Sequence, residues 1–170
     1  MHVAEAPATR EELGAALSAA AEAGTPVRFR GGATKRGWAR PAPPEAIELS
    51  TTGLNAVVEH NAGDLTAVLE AGVLLADAQA GFAKAGQMLA LDPPDGGATI
   101  GGVVATADTG PLRARYGAPR DLVVGMRVAL SDGTLAKSGG KVMPTPRLCG
   151  EVPGPYRRHP LEQAGVAERF

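Results

Sequence analysis

The tetrapeptide GGAT occurs twice, at Gly31–Thr34 within VRFRGGATKRGW and at Gly96–Thr99 within PPDGGATIGGVVATAD. An ordered glycine gives up more chain entropy than any other residue, and a pair compounds the loss. A fold that carries two such pairs needs backbone that runs, in two places, closer to something than a Cβ allows. The first pair ends a short strand pattern, Val27–Arg30, and small residues follow it. Consecutive backbone N–H groups there can converge on an anion. Thr34 adds a hydroxyl, and Lys35 and Arg36 add positive charge. In the second stretch Gly96–Gly97 and Gly101–Gly102 flank Ala98-Thr99-Ile100. A helix beginning beside Thr99 would turn its first N–H groups and its dipole toward an anion. Gly101 and Gly102 cost about 1 kcal/mol each relative to Ala inside a helix, which close approach of a ligand or another backbone would explain. The competing reading is two ordinary turns. Neither stretch is a GxxxxGK[ST] phosphate loop or a GxGxxG opening a βαβ unit, so local pattern stops at a choice between nucleotide cradle and turn.

The 170 residues suffice for one domain, or one domain and a tail. With 44% hydrophobic residues the composition is not that of a disordered chain. A net charge of −1 gives no global attraction to nucleic acid or acidic membranes, so any anion site is local. Aromatics at 4% leave too few stacking residues for a single-stranded nucleic acid platform. Cys149 is the one cysteine, which excludes an internal disulfide and a cysteine zinc site. His2, His60 and His159 have no metal-ligand spacing, and no metal is expected. The N-terminus lacks a signal-peptide core, and no stretch approaches the roughly 20 apolar residues of a membrane span. A cytoplasmic location is expected.

Thr9 and Glu12 form a capping-box pattern ahead of Leu13, Ala16, Leu17 and Ala20, predicting a helix over residues 10–23. Strands are predicted at 27–30, 46–50, 54–60 and 66–72, then a helix from Leu74 closed by Gly86. Residues 100–107 suit a short helix, TGPLRARYGAPRD a loop, and 122–130 with 135–138 a hairpin about Ser131-Asp-Gly133. The order is α+β. After Met143 come five prolines and no apolar periodicity, so residues 144–170 are expected to be an irregular, disordered tail outside a 1–143 domain.

RGGATK (Arg30–Lys35) and DGGATIGGVVATADTG (Asp95–Gly110), followed by RYGAPRDLVVGMRVALSDG (Arg115–Gly133), resemble the FAD-binding domain of the vanillyl-alcohol oxidase, or PCMH, type. TKRGW, GQMLALDPP (Gly86–Pro94) and SGGKVM (Ser138–Met143) bring the pattern nearest to the E subunits of bacterial glycolate oxidases. The resemblance implies an FAD-binding domain of two α/β subdomains. It implies contacts from Gly31, Gly32, Ala33, Thr34 and Lys35 in the first loop. In the second it implies contacts from Pro94, Thr99, Gly101, Gly102, Thr106, Ala107, Asp108 and Thr109. Some relatives attach FAD through a first-loop histidine; Ala33 stands there, implying non-covalent FAD.

The resemblance further implies oxidation of a small 2-hydroxy acid beside a second flavoprotein subunit and an iron–sulfur subunit, with membrane association only through such partners. No catalytic residue is evident. The family's KNVAGYD-like and GTLG-like stretches and its cap domain have no counterpart after Met143, as expected of a frameshifted or truncated chain or of a natural short variant. The rival functions are a non-catalytic nucleotide-binding or assembly module, and part of another family oxidoreductase such as a D-lactate dehydrogenase.

Overall fold

The computed structural model describes residues 4–38, 41–139, 162–163 and 165–169; of the last two segments only the main-chain pairing is described. Strand β1 (Ala4–Glu5) precedes helix α1 (Arg10–Glu22) and strand β2 (Val27–Arg30). Thr9 caps α1 by accepting from Glu12 N at 3.1 Å, and the Glu12 carboxylate reaches back to Ala8 N at 2.8 Å. The capping box thus closes one residue earlier than its usual form. A one-turn 3-10 helix, Arg36–Trp38, follows the first glycine loop. Strand β3 (Ile47–Ser50) then pairs parallel with both β1 and β2, giving the order β1-β3-β2. Leu13 and Leu17 of α1 bury against Leu49 and Leu54 in a small core beneath this sheet.

The second unit begins with β4 (Val57–Asn61), antiparallel to β5 (Thr66–Glu70). Helix α2 (Leu75–Ala83), the short strand β6 (Gln87–Met88) and helix α3 (Ile100–Thr106) come next. Two short helices follow, α4 (Arg113–Tyr116) and α5 (Pro119–Leu122). The antiparallel pair β7 (Val123–Ala129) and β8 (Leu135–Gly139) completes the chain as far as 139. Phe82, Ile100, Val103, Leu69, Leu89 and Leu122 make the larger core. Two cores under the two larger sheets make the fold α+β, built of two subdomains.

The segment 110–121, expected as a loop, is helical twice over. Asp92 accepts from Gly110 N at 3.0 Å and Leu112 N at 2.9 Å, and Asp121 accepts from Ala118 N at 2.8 Å. Pro119 opens α5, a position where its missing N–H costs nothing. The expected strands at 54–60 and 66–72 shorten to 57–61 and 66–70. Of the segment expected to be irregular, most lies outside the described residues, but Glu162–Gln163 (β9) and Gly165–Arg169 (β10) are strands. β9 pairs with β6. β10 lies parallel between β5 and β7 in the order β4-β5-β10-β7-β8. A five-residue strand in such a slot answers the unpaired main-chain groups of both neighbours, a demand invisible in its own sequence. Among the described residues no helix is long and apolar enough to cross a membrane.

Candidate functional site

The two glycine loops meet. A Cβ added to Gly31 would stand 2.3 Å from Thr99 Oγ1, and one added to Gly32 would stand 1.8 Å from the Gly97 carbonyl oxygen. The first pair of glycines is therefore set by the second loop, whatever else passes nearby. The first loop forms one wall of a cavity of about 540 Å³ between the subdomains. Loop residues Gly31–Arg36 line it together with Gly101, Gly102, Thr106 and Asp108. Arg28, Phe29 and Arg30 of β2, Leu13 of α1 and Val128 and Ala129 of β7 complete much of the rest.

The first loop keeps its donors open. Among the described residues none accepts a hydrogen bond from the backbone N–H groups of Gly31, Gly32, Ala33, Thr34 or Lys35. Ala33 has φ 59°, left-handed for a residue with a side chain. Such a conformation costs on the order of 1 kcal/mol or more and collects at ligand sites. A left-handed residue between right-handed ones is the backbone pattern that can turn successive N–H groups toward an anion.

The start of α3 does the opposite, against the expectation of an anion cradle there. Ile100 N donates to Val73 O at 2.9 Å and Gly101 N to Ala71 O at 2.8 Å. Gly102 N donates to Thr99 Oγ1 at 3.3 Å and Val103 N to Thr99 O at 2.9 Å. Every N–H of the first turn of α3 is engaged by protein. Thr99, 1% exposed, is a cap and a spacer, and it does not line the cavity. Pro94, Ala107 and Thr109 do not line it either; Ala107 closes α3 in the left-handed conformation, φ 52°.

The charges also differ from expectation. Lys35 was expected to serve an anion, but Nζ contacts Asp95 and lies 2.8 Å from Asp108 Oδ2, with the Trp38 ring centroid 5.0 Å away. Asp108 is buried, and Lys35 is its ion-pair partner. The approach of Asp108, then of Asp95, pushes the Lys35 pKa above its ordinary range. Lys35 is thus a clasp from the first loop to the second. Arg36 is also paired, at 2.8 Å from Glu48 Oε2. Arg28 reaches the same oxygen and Arg30 reaches Oε1 at 3.1 Å. Arg28 above all, with Arg30 and Arg36, holds the Glu48 carboxyl below the usual carboxylate range. Spacing already hinted at this cluster: Arg28 and Arg30 alternate on β2, so they share a face, and Arg28 sits in register with Glu48.

The remaining conspicuous residues have local work. His60, the one histidine among the described residues, bonds Gln87 Oε1 at 2.8 Å and packs on Phe82 away from the cavity. Asp64 accepts from Thr66 N at 3.0 Å in the β4–β5 turn. Trp38 is 65% exposed. No group of three or more His, Cys, Asp and Glu side chains among the described residues is placed to hold a metal.

Residues 2–139 match the FAD binding domain family. The chain belongs to this family. Among its curated relatives are an uncharacterized FAD-linked oxidoreductase of Mycobacterium tuberculosis, 34% identical over 137 residues, and a D-lactate dehydrogenase of Archaeoglobus fulgidus, 32% identical over 137. These alignments cover 80% and 81% of this chain but 30% and 31% of the relatives. Glycolate oxidase subunit GlcE of Escherichia coli is 32% identical over 121 residues, 70% of this chain and 34% of that one. The chain thus spans about a third of the length of the curated relatives it matches. The fold is that of alkyldihydroxyacetonephosphate synthase (TM-score 0.73, 21% identity, 82% of this chain and 26% of that one). It is also that of berberine bridge enzyme (TM-score 0.71, 19% identity, 79% and 28%). FAD is the family's cofactor, and the cavity's donor set of five open N–H groups and three guanidiniums fits a dinucleotide pyrophosphate.

Proposed function

We propose that this chain is the FAD-holding domain of a flavoprotein that oxidises a small 2-hydroxy acid, of the glycolate oxidase type. The observation that carries the reading is the row of open N–H groups from Gly31 to Lys35 on the wall of a cavity in a domain of the FAD-binding family. The relation to GlcE and to D-lactate dehydrogenases supports the substrate class. Bound FAD supplies a two-electron acceptor. The first loop binds the pyrophosphate, the second closes the wall behind it, and the Lys35 clasp fixes their separation. FAD is held non-covalently, since Ala33 offers no nucleophile. Lys35, Asp108, Glu48 and the three arginines are all ion-paired, so this chain's share is holding and orienting the cofactor. Substrate-binding groups then come from elsewhere in the assembly, for which a second flavoprotein subunit and an iron–sulfur subunit are the proposed partners.

Titration of the purified chain with FAD and with FMN tests the reading. FAD binds more tightly, because FMN lacks the pyrophosphate; equal affinity would sink the proposal. Acid precipitation releases all flavin to the supernatant, and colour left in the pellet would refute non-covalent attachment. With partner subunits present, glycolate or D-lactate bleaches the flavin spectrum. Bleaching by neither acid would leave the non-catalytic, nucleotide-binding module as the better reading.

A further inference from the structure

We infer that Arg28, Arg30 and Arg36, gathered on the buried Glu48 carboxylate, form the charge-balancing half of the pyrophosphate site. This inference rests on the pyrophosphate lying against the first loop. Three guanidiniums meet one carboxylate, leaving two positive charges on a chain whose net charge is −1. A pyrophosphate diester carries two negative charges. All three arginines line the cavity that the open N–H groups line, and Arg30 and Arg36 bracket those groups in sequence.

The geometry suits a ligand as well as it suits the fold. Glu48 has a side chain 10% exposed, and each arginine gives it one nitrogen. A guanidinium carries five N–H donors, so most remain for a phosphate oxygen. The arginine side chains are 46%, 46% and 55% exposed, so they are not sealed into the core. Glu48 holds three mutually repelling cations in place before any ligand arrives, which lowers the ordering cost of binding. Lys35 cannot take this part, since its two carboxylates leave its surroundings with one net negative charge. The N–H groups thus supply direction, and the arginines supply charge.

The test measures FAD and ADP binding by the wild-type chain and by Arg36→Gln, Arg28→Gln, Arg36→Lys and Arg120→Gln. ADP carries the pyrophosphate without the flavin. Arg120 is 90% exposed at the side chain and controls for the loss of one positive charge. Arg36→Gln and Arg28→Gln each weaken both ligands about five- to tenfold at low salt, as expected for a partly exposed charge-assisted bond. The deficit shrinks toward 1 M salt, where the screening length falls to about 3 Å. Arg36→Lys recovers part of the affinity, and Arg120→Gln stays within about twofold of wild type. Unfolding midpoints identify variants that fold. If folded Arg36→Gln and Arg28→Gln bind both ligands as wild type does, or lose affinity without salt dependence, the inference is wrong while the FAD reading stands. If the wild type binds neither FAD nor ADP, the FAD reading itself fails.

Discussion

The two GGAT stretches share four residues and divide one task between them. In the first, five consecutive N–H groups stay open beside a left-handed Ala33. In the second, the first turn of α3 has no donor to spare, and Thr99 serves as cap and as the surface against which Gly31 packs. Identical tetrapeptides therefore do not mean identical chemistry. Gly-Gly permits close approach, and what approaches is decided by the elements on either side. After β2 the loop runs along a cavity. Before α3 it is pinned to Ala71 and Val73 in the turn between β5 and α2.

The sharpest way to break this contrast is to add one carbon to one glycine of each pair. Gly32→Ala drives a Cβ onto the Gly97 carbonyl, and about 3 kcal/mol or more of stability is lost. Gly96→Ala meets nothing within 4 Å, and its unfolding free energy stays within about 0.5 kcal/mol of wild type. Equal stabilities in urea denaturation would mean that the loops do not touch as described. Gly32→Asp meets the same clash. Weakened FAD binding in that variant reports a displaced loop as readily as a repelled phosphate.

A smaller effect concerns the cap. Thr99→Ala removes the acceptor for Gly102 N and costs about 1 kcal/mol. It also clears the hydroxyl that a Cβ at Gly31 would strike, so the double variant with Gly31→Ala loses less stability than the two single losses added together. Strict additivity would refute the packing of Gly31 on Thr99.

The mildest probe is alkaline pH. The Lys35 pKa is raised above its ordinary value of 10.5, so the clasp contributes fully below pH 10.5 and is lost as pH climbs through the higher folded value. The gap in unfolding midpoint between wild type and Lys35→Met is steady from pH 7 to about 10 and closes above that. A gap that persists at the alkaline end would show that the two carboxylates do not hold Lys35 as a cation.

Much of this was legible in the sequence. The α1 box, the β7–β8 hairpin and the α+β class followed from Thr9 and Glu12, from Ser131-Asp-Gly133 and from the order of elements. The missed features depend on contacts between distant residues. Lys35 looked free because Asp95 and Asp108 are far along the chain, and Arg36 because Glu48 lies across a parallel pairing. The start of α3 looked open because only the fold brings Ala71 and Val73 to it. Helix α4 hid in a polar stretch because Asp92, well upstream, organises its entry.

The position of β10 has a consequence in time. β5 and β7 are not neighbours; they are joined through a strand in which Val166 faces Ala67 on one side and Val123 on the other. Everything the small sheet needs lies between Ala4 and Ser50. During refolding the small sheet closes early, while the edges of β5 and β7 wait for a partner from far downstream, the slow and association-prone kind of contact. Pulsed hydrogen exchange would record protection in Val27–Ser50 before Thr66–Glu70; simultaneous protection would mean that the two sheets assemble as one unit. A chain built this way is most vulnerable to its neighbours in the interval before its central strand arrives.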